Sequence, residues 1–126
     1  MEEFSQANVL SFIEESVADE MGRLAKNITI EVKDNTPVDT GHAMSNWMPS
    51  IGTPFTGING SKTNVSEGDY NNRLANLSSY QLKNGDIFIS NNVDYITLLN
   101  EGSSRQAPRA FVQIAMEVGA EQTRRK

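Results

Sequence analysis

The chain has 126 residues, the length of one domain with a modest core, and it lacks cysteine, which excludes disulfides and thiolate nucleophiles or metal ligands. Its formal net charge of −5 argues against a general nucleic-acid-binding protein, because such proteins normally carry a basic face. Hydrophobic residues make up 37%, which is typical of a thin core with polar loops, or of a subunit that completes its burial against neighbours.

Residues 4–33 are predicted to form one long amphipathic helix. The spacing of three or four residues places seven apolar side chains on one stripe: Leu10, Ile13, Val17, Met21, Leu24, Ile28 and Val32. Such a narrow stripe is expected to pack against a single surface. The β-branched run Ile28-Thr29-Ile30 weakens the helix preference near the end. Pro37 then stops the helix, because the residue before proline avoids the α region.

The middle of the chain is predicted to contain turns, an edge strand and a long loop. Asp39 or Thr40 caps a short turn over residues 41–44, and a strand covers residues 45–52. Trp47 and Ile51 are its expected inward anchors, and Pro49 confines it to a sheet edge or a bulge. The polar stretch 53–68 is predicted to be an extended loop, which is unusually long for a compact domain.

The second half of the chain is predicted to alternate helices with one strong strand. A helix over residues 70–82 is capped by Asp69, and its inward residues are Leu74, Leu77 and either Tyr80 or Gln81. A turn at 83–86 leads into a strand at 86–91, where Ile87 and Ile89 share one face and Phe88 takes the other. A short helix at 95–100 and a final helix at 109–122 follow, the latter with Phe111, Ile114, Ala115 and Val118 on its apolar face.

These elements predict an α+β fold in a single domain spanning residues 1–126. The long N-terminal helix and the further helices pack on a few-stranded, mainly antiparallel sheet. Neither a secretion signal nor an apolar run long enough for a bilayer is visible, so we expect no membrane association.

The sequence offers no convincing catalytic, metal-binding or cofactor-binding set. Asp39-Thr40-Gly41 matches the active-site triplet of aspartic proteases, which would require a homodimer to supply the second carboxylate. The triplet follows a turn instead of a hydrophobic strand, so a capping turn is the preferred interpretation. His42 lies between Asp39 and Ser45, but neighbouring residues rarely supply both a held nucleophile and an oxyanion site.

Phe55 and Ile58 are apolar residues within the polar loop. They either tuck under the loop or serve as contacts on a neighbouring subunit. Glu101 lies close in sequence to Arg105 and Arg109, with either of which it could form an ion pair within or between subunits. These five residues are the candidate interface positions.

Two turn-rich segments are the most informative motifs. The first is Thr36-Pro37-Val38-Asp39-Thr40-Gly41. The second contains, in order, Ile89, Asn91, Val93, Tyr95, Glu101-Gly102 and Ala107-Pro108-Arg109, followed by Phe111. In order and spacing they resemble the tail-completion family of tailed bacteriophages, also called head–tail joining or neck proteins, over roughly residues 5–120. This chain has Ile96, Ser103 and Ala110 where that family has Ala, Thr and Pro.

The motif residues also have physical roles of their own. Gly41 and Gly102 permit a positive φ at the ends of elements. Pro37 and Pro108 fix the chain direction just outside helices. Phe111 is expected to enter the core one turn into the last helix.

The resemblance implies a structural protein of the virion and not an enzyme. Such a protein forms a homo-oligomeric ring, commonly six-fold, at the neck between the capsid connector or adaptor and the tail tube or terminator proteins. DNA would pass through its lumen without specific binding, consistent with the acidic charge. The protein would be made in the host bacterial cytoplasm. The alternatives are a tail-terminator or other minor tail ring protein, and a dimeric aspartic protease.

Overall fold

The computed structural model describes residues 6–36, 43–57, 67–94, 96, 100–101 and 110–125. Within this part of the chain it contains three α-helices and a two-stranded antiparallel sheet, which confirms the predicted α+β class. The elements are α1 (Gln6–Asp34), β1 (Met48–Ile51), α2 (Glu67–Asn76), β2 (Ile87–Ser90) and α3 (Phe111–Arg125). Single 3₁₀ turns lie at Met44–Asn46, Leu77–Ser79 and Leu82–Asn84.

Helix α1 has nearly the predicted extent. The run Ile28-Thr29-Ile30 stays helical because tertiary packing outweighs its weak intrinsic preference. Thr29 is fully buried, and its hydroxyl donates a 2.7 Å hydrogen bond to the carbonyl of Ala25 one turn earlier. This bond satisfies a polar group that would otherwise be buried without a partner.

The predicted inward stripe of α1 is wrong for its first half. Leu10, Ile13 and Val17 are exposed. The face that packs on the rest of the protein carries smaller residues: Ala18, Gly22, Ala25, Thr29 and Val32. A Cβ on Gly22 would collide with the carbonyl oxygen of Leu77, so glycine allows α1 to approach the 3₁₀ turn there.

The sheet is shorter than predicted, with four residues in each strand. Pro49 pairs with Ile89 in the antiparallel register. Proline is tolerated here because both strands of a two-stranded sheet are edges. The strand pairing ends with a 2.8 Å hydrogen bond from the backbone N–H of Gly52 to the carbonyl of Asp86. The neighbouring Gly85 has a φ of 99°, in the left-handed region.

Helix α2 starts and ends earlier than predicted. It begins at Glu67, so Asp69 lies inside the helix, where its carboxylate accepts hydrogen bonds from Arg73 and does not act as the predicted cap. The predicted loop 53–68 therefore ends before Glu67. Leu77 and Tyr80 are buried as expected, whereas Gln81 is exposed. The ammonium of Lys33 lies 3.7 Å from the centre of the Tyr70 ring and joins α1 to α2.

The core lies where α1, the residues just before β1 and the start of α3 meet. Its buried residues are Val32, Trp47, Phe111 and Ala115, with Ile89, Ile96 and Val112 packed against them. Helix α3 begins at Phe111 and runs to Arg125, so Phe111 enters the core at the first helical residue and not one turn later. The short helix predicted at 95–100 is described only at Ile96 and Asn100, both of which are helical.

The predicted apolar face of α3 is half wrong. Ile114 and Val118 are exposed, and the buried positions recur at every fourth residue: Phe111, Ala115, Gly119 and Thr123. A Cβ on Gly119 would lie 2.8–2.9 Å from atoms of Ile28, so this glycine allows α3 to pack closely on α1. No helix within the described ranges is both long and apolar enough to cross a bilayer.

Candidate assembly surface

Thr36, the first residue of the Thr36–Gly41 segment, joins the end of α1 to the core. Its buried hydroxyl donates to the carbonyl of Val32 at 2.6 Å and accepts from the indole nitrogen of Trp47 at 2.8 Å. One hydroxyl therefore satisfies two buried polar groups. The sequence pattern placed Trp47 inside but did not identify this partner.

Replacing Thr36 with valine should lower the free energy of unfolding by about 2 kcal/mol, because the indole N–H of Trp47 would be buried without an acceptor. Urea unfolding followed by circular dichroism measures the change. Thr36→Ser is the matched control, since it keeps the hydroxyl. In a Trp47→Phe background the cost of Thr36→Val should shrink. An equal cost in both backgrounds would show that the hydrogen bond is not the cause.

Two asparagines near the start of the second segment bind loop backbone that lies earlier in the chain. The Asn91 amide donates to the carbonyl of Ala43 at 2.8 Å, just after the first segment. The Asn92 amide donates to the carbonyls of Phe55 and Gly57, at 2.8 and 3.0 Å. Sequence reasoning used Asn91 only as a motif match and assigned no role to the Asn92 side chain. The Ala43 carbonyl also accepts from the backbone N–H of Asn46, so the Asn91 amide adds a second bond to this turn.

Asn100 caps the start of α3. Its side-chain oxygen accepts from the N–H of Val112 at 2.9 Å, and its backbone carbonyl accepts from the N–H of Ala110 at 2.6 Å. The φ of Ala110 is 62°, a left-handed conformation that costs an L-residue about 1–2 kcal/mol. Proline is fixed near −65° and cannot adopt it. The alanine found where the resembling family has proline is compatible with this backbone.

Most of the predicted site residues lie outside the described part of the chain: Pro37, Asp39, Thr40, Gly41, His42, Ile58, Tyr95, Gly102, Arg105, Pro108 and Arg109. Phe55 is half-buried, and the Arg73 guanidinium lies 4.6 Å from its ring centre, so in the single chain it contacts its own α2. Glu101 is exposed. The interface roles of these residues stay predictions.

The described residues offer no metal site, since no three His, Asp or Glu side chains among them lie close enough to hold an ion. Because Asp39 and His42 are outside those residues, the geometry does not bear on the aspartic protease alternative. The described surface presents exposed apolar side chains and charges.

An uncovered apolar face on the first turns of α1 is the most distinctive feature of that surface. Val9, Ile13 and Val17 are 44%, 51% and 44% exposed, and they recur at every fourth residue on one side of the helix. Leu10 and Phe12 flank them and are 56% and 69% exposed. Scattered apolar residues on a surface are ordinary, but a contiguous group of this kind marks an interaction site. We call these five residues the α1 apolar face.

This face is open because α3 covers only the second half of α1. At Gly119, α3 packs closely on Ile28 of α1. Two hydrogen bonds of 2.9 Å also join these helices: the Asn27 amide donates to the Thr123 hydroxyl, and the Gln122 amide donates to the Glu31 carboxylate. Helix α3 ends at Arg125, and the apolar residues on the more N-terminal part of the same side of α1 are exposed. The second half of the predicted apolar stripe of α1 therefore packs within the chain, whereas its first half is exposed.

The N-terminal half of α1 and the last turn of α3 carry charged side chains of opposite sign. Between residues 6 and 20, α1 has four exposed carboxylates and no Lys or Arg: Glu14, Glu15, Asp19 and Glu20. The last turn of α3 carries Arg124 and Arg125, whose side chains are 70% and 77% exposed. Hydrogen bonding and charge from Arg124, with a further hydrogen bond from Arg125, lower the pKa of Glu121, which keeps that carboxylate ionised.

A second apolar stripe lies on α3. Ile114 and Val118 are exposed and one turn apart, and Glu121 and Arg125 continue the same side of the helix toward its end. This side is apolar at its start and charged at its end. Met116 is also exposed but lies on another side of α3.

No protein-family model, curated protein or solved structure is significantly similar to this chain. Function must therefore be inferred from its residues and surfaces.

Proposed function

We propose that this chain is a structural protein of a tailed-phage particle. In this proposal it forms a ring at the head–tail interface, the neck, where it joins the capsid connector to the tail and lines the DNA channel. The observation that carries the proposal is the α1 apolar face, which leaves five apolar side chains of a 126-residue chain in water. A protein that completes its burial against other subunits explains such a face.

The sequence motifs supply the reason for a neck protein in particular. Thr36–Gly41 and the segment ending at Phe111 resemble those of tail-completion proteins in order and spacing. The described parts of these motifs have structural roles: Thr36 holds Trp47, and Phe111 fills the core. Motifs of this kind stabilise a scaffold, which suits a protein whose function is to present surfaces.

The partners follow from the same resemblance. The proposed ring is homo-oligomeric, with six-fold symmetry, and it contacts the connector or adaptor on one side and the tail tube or terminator on the other. It is made in the bacterial cytoplasm and resides in the virion. Carboxylates of α1 such as Glu14 and Glu15 would repel the phosphates of passing DNA, so the lumen would not bind DNA.

The test is the location of the protein in particles of the phage that encodes it. Mass spectrometry of purified particles should detect several copies per virion, and gold-labelled antibody should mark the neck. Absence from particles would overturn the proposal. Label on free tails assembled without heads would indicate a tail-terminator protein instead. Cleavage of a protein substrate at acid pH that is lost in Asp39→Asn would indicate the protease.

A further inference from the structure

We propose that the α1 apolar face binds helix α3 of a second copy of this chain, with the two helices parallel. The inference rests on the proposed ring and names the surfaces that would join its neighbouring subunits. One chain contributes Val9 and Ile13, and the other contributes Ile114 and Val118. Both pairs are exposed in the single chain.

The two stripes match in spacing. On α1 the stripe runs Val9, Ile13, Ser16 and Glu20, with intervals of four, three and four residues. On α3 it runs Ile114, Val118, Glu121 and Arg125, with the same intervals. A repeat that alternates three and four residues keeps two helices in register along a common seam. In parallel alignment Val9 meets Ile114 and Ile13 meets Val118.

The same alignment brings opposite charges together. It places Glu20 beside Arg125 at the end of the seam. Within one chain Glu20 lies 3.8 Å from Arg23, and Arg124 and Arg125 both pair with Glu121. These pairs are exposed and therefore weak, so they can be exchanged for a pair between two copies. The antiparallel alignment would instead set Val9 against Arg125 and Ile13 against Glu121. It would also leave Ile114 opposite Glu20. Charge therefore selects the parallel arrangement and this register.

The contact uses two different surfaces of each chain, so each copy would bind one neighbour through α1 and another through α3. Head-to-tail contacts of this type form rings when the rotation closes. A seam of about three turns is short, and a single contact of this size is weak. Closure strengthens it, because each chain is then held on two sides.

The two stripes cannot meet within one chain. Val118 is next to Gly119, which packs on Ile28. Ile13 lies about 22 Å along α1 from Ile28, since an α-helix rises ~1.5 Å per residue. A disulfide requires Cα atoms within about 7 Å. A bond between positions 13 and 118 therefore reports contact between two copies.

Disulfide trapping tests the contact, and the absence of native cysteine makes it specific. The purified full chain with Ile13→Cys and Val118→Cys is oxidised mildly and resolved by non-reducing electrophoresis. The matched control carries Ile13→Cys with Met116→Cys. Met116 is 48% exposed, against 39% for Val118, and lies about 200° around α3 from position 118. The 13/118 variant should form linked dimers and larger species at least about tenfold faster, since docked thiols have a high effective concentration.

Two results would overturn the inference. One is linking of the 13/118 variant no faster than the control. The other is equally rapid dimer formation by Ile13→Cys alone, which would indicate two α1 helices packed on each other. Either result would leave the presence of the protein in particles as a separate question, so the proposed neck function could survive it.

A charge exchange gives a second measurement that needs no oxidation. Glu20→Arg and Arg125→Glu should each reduce self-association in concentrated solutions examined by light scattering. The double variant should restore it, because the pair is then reversed and not removed. Failure of the double variant to recover, while both single variants weaken association, would assign the charges to a different contact and overturn the proposed register.

Discussion

Replacing Phe111 with alanine should lower the free energy of unfolding by about 3–5 kcal/mol, the usual cost of truncating a buried aromatic residue. Phe111 is 1% exposed. It packs with Val32, Trp47 and Ala115 where α1, the residues just before β1 and the start of α3 meet. Its loss would leave a cavity among elements that are far apart in sequence. A domain of this size has a total stability of about 5–15 kcal/mol, so the loss is a large fraction.

Urea unfolding monitored by the fluorescence of Trp47, the only tryptophan, reports directly on this region. Circular dichroism reports on the helices, and coincident transitions would justify a two-state treatment. Ile114→Ala is the matched control on the same helix. Ile114 is 45% exposed, so the change should stay within about 0.5 kcal/mol. A loss below about 1 kcal/mol for Phe111→Ala would contradict its placement in the core.

The extent of the elements was more predictable than their orientation. The spacing of large apolar residues predicted α1 within two residues of its described start, because a period of 3.6 over eight turns is a strong signal. The same spacing led to the wrong inward face, since it counted Leu10, Ile13 and Val17 as core. Periodicity shows that a helix has an apolar side but not whether anything covers that side.

The small residues of the helices, and not the large apolar ones, indicate which helix faces are buried. A glycine inside a helix costs about 1 kcal/mol relative to alanine, so Gly22 and Gly119 require a compensating reason. Each lies where another segment approaches too closely for a Cβ, at Leu77 and at Ile28. Treating mid-helix glycines as markers of close packing would have predicted the faces of α1 and α3 more accurately.

The candidate surface could not be found from motifs. The interface residues chosen from the sequence were loop anchors and charges near the second segment, such as Phe55 and Glu101. The α1 apolar face is visible only once α3 is known to end at Arg125 beside the second half of α1. The roles of Asn92 and Asn100 were also hidden, because amide-to-backbone bonds join residues that sequence spacing does not relate.

Replacing Val9, Ile13 and Val17 together with glutamine should abolish assembly without loss of stability. Glutamine favours helix slightly more than valine or isoleucine, so α1 should remain intact. The three side chains are about half exposed in the single chain and contribute little to its folding. In an interface, each buried side chain of this size contributes roughly 1–2 kcal/mol, so association should weaken by more than about a hundredfold.

The measurement is complementation of a phage from which this gene has been deleted. Complementation is scored as plaques and as joined particles in electron micrographs. The control replaces Leu82 and Met116 with glutamine, which removes exposed apolar side chains outside the two stripes. Control particles should join normally, whereas the triple variant should leave heads and tails unjoined while its unfolding curve stays at the wild-type midpoint. Normal joining by a correctly folded triple variant would contradict a part for the α1 apolar face in assembly.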